Sequence, residues 1–534
     1  MQDLPIGISE FPELRETNCV YIDKTEYVYS LLKKNRRTFL SRPRRFGKSL
    51  LVSTLNAALQ GKKELFKDLW IADSDYSWEP VGVIRLDFSR LSIENKEEFK
   101  NSLLYMLEQI GEKYNIELAP GADLNSSLAA LIQSLCDTNR PNHFPSVAVL
   151  IDEYNYPILH TLNKPELAVE IRNILKSFSC VIKAEAELVK FVFVTGVSAF
   201  SKSGLSSGLN NLDNITIDKR FFSICGYTDI EVDLYFKDHI TDWAKSSKIP
   251  YDILRKQLKT WYNGYCFKEN TPTIYSPYTF TLAISKQELQ NFWFESATPQ
   301  FLLHELRKEE RKSELKLLEL DQLEGSWDLL QTFEIENIPL PALLVQMGYL
   351  TIDTYNPLSR NYTLRYPNLE VRSSLNKHLL ATVTKQTTTE INPIIGNIYQ
   401  YLVEKKVDKI IECISTIISN IPYPLHIEEE RYYHALLQTI FFATGADVES
   451  ERFTSIGRMD LIIKVPYTTY IIELKINLPP EEGLKQIKSQ KYYEPFLLTE
   501  NTILGLGISF LRKKTIGNEK SAFEVTYVLE ELKK

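Results

Sequence analysis

The sequence predicts a multidomain α/β protein: an open, mostly parallel sheet at the N-terminus, a helical middle and a smaller α/β unit at the C-terminus. Three observations carry that expectation. Short apolar runs alternate with helical spacing between residue 37 and about 198, the pattern of parallel strands joined by crossover helices. The stretch from about 228 to 385 reads largely as helix. From about residue 426 helix and strand alternate again, with two β-branched runs, RMDLIIKV and TTYIIELKI, around a turn that contains Pro466. A chain of 534 residues is too long for one core, and two to four domains are expected. The boundaries drawn from these shifts are 1–227, 228–385, 386–425 and 426–534.

Taken in order, RTFLS (37–41) is a short strand, and SLLVSTLNAALQG (49–61) is a helix that closes on glycine. GVIRLDFS (82–89) is the second strand. VAVLIDE (147–153), apolar enough to be buried on both faces, is the third, and KFVFVTGVS (190–198) is the fourth. In the middle region LPALLVQMGYLTID followed by NYTLRYPNLEVRSSL resembles the helix and hairpin of a winged-helix-like module. Residues 386–425, with DKIIECISTIISNI, form a helical connector.

Composition excludes several classes. Hydrophobic residues make up 44% and charged ones 25%, as in soluble globular proteins. A net charge of −7 and a pI near 5.8 leave no whole-molecule basic field for nucleic acid. Any such contact must be local or carried by a metal. The six cysteines are scattered without a C-x-x-C pair, which argues for reduced thiols in a cytoplasmic setting and against a zinc site. The N-terminus lacks the basic start and apolar core of a signal peptide. No run approaches the length of a membrane span.

FLSRPRRFGKSL (39–50) is the first chemical motif. A phosphate-binding P-loop reads G-x-x-x-x-G-K-[ST]. Gly47, Lys48 and Ser49 fit its second half, but Arg42 stands where the first glycine belongs. A lone GKS triplet is weak evidence; its setting supplies the weight. It follows a strand and opens a helix, whose N-terminus faces phosphate. About a hundred residues on, VAVLIDE offers Asp152 to hold a magnesium ion and Glu153 to activate an attacking water. Thr195, with Ser198 beyond, ends the next strand where a polar side chain could sense the γ-phosphate. Pro43 has no N–H to give, so Arg44 and Arg45 would offset lost backbone donors with charge-assisted bonds to phosphate.

These residues, with YIDKT (21–25), LIDEYNYPI (150–158), FVTGVSAFSKSGLSSGLNNL (193–212), GYTDIE (226–231) and WYNGYCF (261–267), closely resemble a family of AAA-ATPase-like proteins. Its members commonly carry a PD-(D/E)XK nuclease-like C-terminal domain. The family's loop reads RPRRFGKS, so Arg42 follows the family. The resemblance implies an additional-strand P-loop NTPase fold, with Lys48 and Ser49 at phosphate and magnesium and Asp152 and Glu153 as the acidic pair. Asn155 departs from the family, which usually has an aspartate there, and puts in doubt whatever charge pairing that aspartate makes.

The second constellation spans EEERYYHALLQTIFFATG (428–445), RFTSIGRMDLIIKVPYTTYIIELKI (452–476) and EEGLKQIKSQKYYEPF (481–496). If the hairpin turn is centred between Pro466 and Tyr467, Asp460 lies directly opposite Glu473. Side chains alternate along a strand, so Glu473 and Lys475 share a face. Two carboxylates and an ammonium are gathered there, and like charges so placed repel unless a cation sits between them. A hard divalent ion, magnesium, suits that set and would supply a water to attack a phosphodiester. D…E-x-K matches the PD-(D/E)XK pattern, and Gln486, Ile487 and Tyr492 match a family Q-I-x-x-x-x-Y segment. Glu430 is a further candidate ligand, and His434 reads as a packed or capping histidine.

The expected protein is a cytoplasmic ATPase that uses ATP and Mg²⁺, fused to a nuclease-like domain acting on nucleic acid, DNA ahead of RNA, in genome defence or mobile-element biology. AAA-like ATPases often form rings, which makes a homo-oligomer an expectation. The alternative is a regulatory or signalling ATPase whose nuclease-like domain only binds or docks.

Overall fold

The computed structural model describes residues 1–34, 37–162, 164–197, 212–293, 323–326, 339–421, 430–453, 457–512 and 523–533. They fall into two compact units: those of Met1–Phe292 and Gln322–Asn368 form one, those of Trp293–Asp321 and Leu369–Lys534 the other. Ser198 and the rest of the segment through residue 211 lie outside the described residues.

The first unit is built on β1 (Arg37–Ser41), β2 (Gly82–Asp87), β3 (Val147–Asp152), β4 (Val189–Gly196) and the short β5 (Asp213–Asn214). They pair in parallel in the order β2-β3-β4-β1-β5. β4 is thus the strand inserted between the loop strand β1 and the acidic strand β3, the additional-strand P-loop arrangement. Every residue of β3 is buried, as expected of a central parallel strand. Helices Lys96–Lys113, Leu124–Cys136 and Pro165–Ala184 bring Leu103, Leu107, Leu128, Ile132, Leu175 and Phe178 against Val149, Ile151, Val192 and Val194. β2 ends at Asp87 because its carboxylate accepts the Ser89 N–H and starts a 3₁₀ turn. The carboxyl ends of β1, β3 and β4 meet at one crevice edge, where such sheets bind ligands.

Four helices, Asp229–Tyr235, Lys237–Ser247, Tyr251–Tyr262 and Pro277–Lys286, follow in the same unit. They enclose Phe236, Trp243, Leu258, Tyr262 and Phe280, joined by Val20 and Ile22 from the segment that precedes YIDKT and opens it. Helix Leu340–Gln346 then leads to a small sheet of β6 (Glu324–Ser326), β7 (Thr351–Asn356) and β8 (Asn361–Arg365), ordered β6-β8-β7.

In the second unit LEVRSSL, read with the hairpin in sequence, instead opens helix Leu369–Val383. Helices Thr388–Val403 and Val407–Ser419 account for the connector. Helix Glu430–Thr444 precedes an antiparallel meander of β9 (Asp447–Phe453), β10 (Arg458–Val465) and β11 (Thr468–Ile476). Helix Pro480–Ser489 crosses to β12 (Thr502–Arg512), parallel to β11, and β13 (Phe523–Lys533) closes the mixed sheet β13-β12-β11-β10-β9. All six cysteines are free thiols. No described helix is long and apolar enough to cross a membrane.

Candidate functional site

The phosphate loop occupies the end of β1. Gly47, at φ 86°, caps helix Lys48–Leu59 in the left-handed region that favours glycine. The Lys48 ammonium, 3% exposed, donates to the carbonyls of Arg42 and Pro43 at 3.1 Å each and pairs with Glu153 at 3.2 Å. Asp152 accepts from the hydroxyls of Ser49 and, at 3.2 Å, of Thr195. Burial first, then the Glu153 charge, holds its carboxyl above the ordinary range. Loop, acidic pair and Thr195 therefore converge as the sequence implies. Arg45 and Glu153 both take positive φ, 67° and 49°, the left-handed region that is uncommon for non-glycine residues.

Three placements refine the reading. Thr195 is fully buried and bonded to Asp152, so its partner here is the acidic residue. The guanidinium of Arg45 lies 4.5 Å over the ring of Tyr278, whereas Arg44 is half-buried and makes no ion pair among the described residues. Asn155 is buried, and its side-chain oxygen accepts the Val197 N–H at 3.0 Å. A methyl group added to Gly196 would sit 2.5 Å from that oxygen. A neutral amide thus fills the place where a charge was in question, holding the end of β4 against the acidic loop.

The second site lies on β10 and β11. Their register pairs Leu461 with Ile472 and Val465 with Thr468, which sets Asp460 opposite Glu473 as expected. The Asp460 N–H points to one Glu473 oxygen at 3.4 Å, and the Asp460 carboxylate accepts the Leu474 N–H at 2.9 Å. Glu473 is 0% exposed, and its Oε2 has no hydrogen-bond partner; the Lys475 ammonium stands 3.8 Å from it. Burial, reinforced by the Asp460 charge, pushes the Glu473 carboxyl up to about 9. A buried carboxyl oxygen that lacks a hydrogen bond, beside a second carboxylate, is a donor set that fits a hard divalent cation.

Helix Pro480–Ser489 seals the site because glycines let it approach. A Cβ on Gly483 would meet the Glu473 carbonyl at 3.0 Å, and one on Gly507 of β12 would meet the Pro480 carbonyl at 2.1 Å. Gln486, half-buried, lies one turn past Gly483 on this helix. Ile487 is buried in the local core, and the Tyr492 hydroxyl donates to the Arg458 carbonyl at 3.0 Å, two residues before Asp460. His434 bonds the Asp460 carbonyl through Nε2 at 3.1 Å, a packed role as expected. Glu430 is exposed at the start of its helix, and among the described residues no three His, Cys, Asp or Glu side chains gather as a metal cluster.

The two folds and their sites define an AAA-ATPase-like P-loop domain joined in one chain to a nuclease-superfamily domain. Residues 5–206 match the family described as predicted AAA-ATPase, and residues 428–520 match the PD-(D/E)XK nuclease superfamily. An "Uncharacterized protein in vnfD 5'region" of Azotobacter chroococcum mcd 1 is 33% identical over 527 residues, covering 95% of this chain and 96% of that one. The chain belongs to this AAA-ATPase-like family with a C-terminal PD-(D/E)XK nuclease superfamily domain.

Proposed function

We propose that the protein binds and hydrolyses ATP with Mg²⁺ and that its C-terminal domain cleaves nucleic acid, DNA ahead of RNA, in a metal-dependent reaction inside the cytoplasm. Genome defence or mobile-element biology suits such a pairing. The observation that carries the reading is the Asp460–Glu473 pair, with one Glu473 oxygen unpartnered and Lys475 beside it.

At the first site Ser49 and Asp152 would hold magnesium. Lys48 would leave the Arg42 and Pro43 carbonyls for the terminal phosphates. That move releases Glu153 from its ion pair, and the freed carboxylate can take the proton of an attacking water. At the second site Asp460 and Glu473 would hold a divalent ion, which supplies Lewis acidity and an acidified water. Lys475, on the same face, would steer that water and offset charge on the phosphate. Gln486 would orient substrate from the adjoining helix. Nucleotide state would gate cleavage if ATP prefers one domain arrangement, at the usual coupling of about 1–3 kcal/mol.

A second reading, a regulatory ATPase with a non-cleaving, nucleic-acid-binding or docking domain, draws on the lack of a third gathered ligand among the described residues. The full chain, incubated with Mg²⁺ and single- or double-stranded DNA or RNA, separates the two. Cleavage that is lost in both Asp460→Asn and Lys475→Ala supports the nuclease; binding without cleavage, unchanged by Lys475→Ala, supports the docking reading.

A further inference from the structure

Among the described residues, Arg42 is a buried cation with no acidic partner. It is 1% exposed and forms no ion pair among the described residues. One terminal nitrogen donates to the carbonyls of Ser41 at 2.8 Å and Thr216 at 2.7 Å, the other to the Phe221 carbonyl at 3.2 Å. The guanidinium also lies 4.1 Å over the ring of Phe267. Its Nε–H has no partner, and the residue borders a cavity of about 20 Å³, room for about one water. Burying a cation without a counter-charge is costly. Three carbonyls and a ring face offset that cost only in part.

The cost falls at the position where other phosphate loops have their first glycine. The main chain of the same residue holds the working parts: its N–H donates to the Gly196 carbonyl at the end of β4, and its carbonyl receives the Lys48 ammonium. Phe46, four residues on, is buried edge-on against Tyr265 at 4.8 Å and Phe267 at 5.6 Å. Arg42 and Phe46 thus pin both arms of the loop to one aromatic seat from the WYNGYCF segment.

We infer that Arg42 is a positioning residue for nucleotide binding: its side chain, seated on Phe267 and spanning Ser41, Thr216 and Phe221, gives the phosphate loop the shape that a glycine turn provides elsewhere. Its unopposed charge adds to that of Lys48 in favouring a polyphosphate. The inference rests on the ATP reading above.

The test is calorimetric titration of the full chain with ATP and Mg²⁺, beside steady-state hydrolysis. Arg42→Lys keeps the charge, but an ammonium cannot span three carbonyls as a planar fork does. It should weaken ATP binding about tenfold, the factor expected if the loop keeps its binding shape only about a tenth of the time, and raise KM with kcat at saturation nearly kept, the mark of lost uniform binding. Unchanged ATP affinity in folded Arg42→Lys, whatever its melting temperature, overturns the inference while the ATP reading stands. No ATP binding by the wild type overturns the ATP reading and the inference with it. Should Arg42→Lys not fold, Phe267→Leu decides. It keeps an apolar side chain and removes the ring face from Arg42 and from Phe46, which pin the two arms of the loop, and should weaken ATP binding by about threefold or more; unchanged affinity there overturns the inference.

Discussion

The two sites treat buried charge in opposite ways. At the phosphate loop the lysine and the acidic residue are answered, Arg42 excepted: Lys48 is held by two carbonyls and Glu153, and Asp152 by Ser49 and Thr195. At the hairpin Glu473 is sealed from water with one oxygen unpartnered, Asp460 across from it and its lysine 3.8 Å away. Lys48 and Asp152 are already satisfied, so a ligand there must compete with internal contacts. The hairpin is frustrated, so a cation there would displace the proton that Glu473 holds rather than an internal contact.

The largest effect that could break this contrast lies at Glu153. Glu153→Gln should keep ATP binding and cut turnover by about 10²–10⁴, the usual share of a general base, read as phosphate release against calorimetric affinity. Turnover within a fewfold of wild type would remove Glu153 from the chemistry. Lys48→Ala comes next. Saturation at 100 times the dissociation constant stabilises the wild type by about 2.7 kcal/mol, and the variant should lose that shift in a melting experiment with ATP and Mg²⁺. An equal shift in both proteins would mean that the loop is not where the nucleotide binds.

The hairpin makes a pH prediction of opposite sign to most carboxylates. Glu473 sits at about 9 in the fold against an ordinary 4.5, so the folded state holds the proton more tightly than the unfolded one. Its stabilising contribution is complete below about 4.5 and is lost as pH rises through 9, by at most about 1.4 kcal/mol per pH unit. Without divalent metal, stability should therefore decline across that window, and Glu473→Gln should flatten the decline. Denaturation curves taken at several pH values test it; parallel profiles for the two proteins would show that Glu473 is not frustrated. The smallest effect is at Tyr492. Tyr492→Phe removes the bond to the Arg458 carbonyl and should cost about 1 kcal/mol of stability, with metal binding by Asp460 and Glu473 retained. A loss of metal binding would instead make Tyr492 part of the site.

Much of both sites was legible along the chain because the relevant geometry is local. Alternation along a strand and a turn centred after Pro466 suffice to place Asp460 opposite Glu473 and Lys475 on the same face. Glycine, lysine and serine between a strand and a helix suffice for the phosphate end of the loop. The middle region was harder. LEVRSSL opens a helix that is buried on several sides, and a helix wanted on many faces carries little amphipathic signal.

What the sequence by itself determined is four strands of the first sheet, the two motifs and the hairpin register, since each depends on spacing within a few residues. Tertiary structure alone decided the state of the charges. Glu473 became a fully buried acid because helix Pro480–Ser489, admitted by Gly483 and Gly507, lies against its strand and the next. Arg42 turned inward because Thr216, Phe221 and Phe267 lie beneath it. Those partners stand more than 170 residues away in the chain. Desolvation is the sum of everything packed around a group, and no local pattern carries that sum.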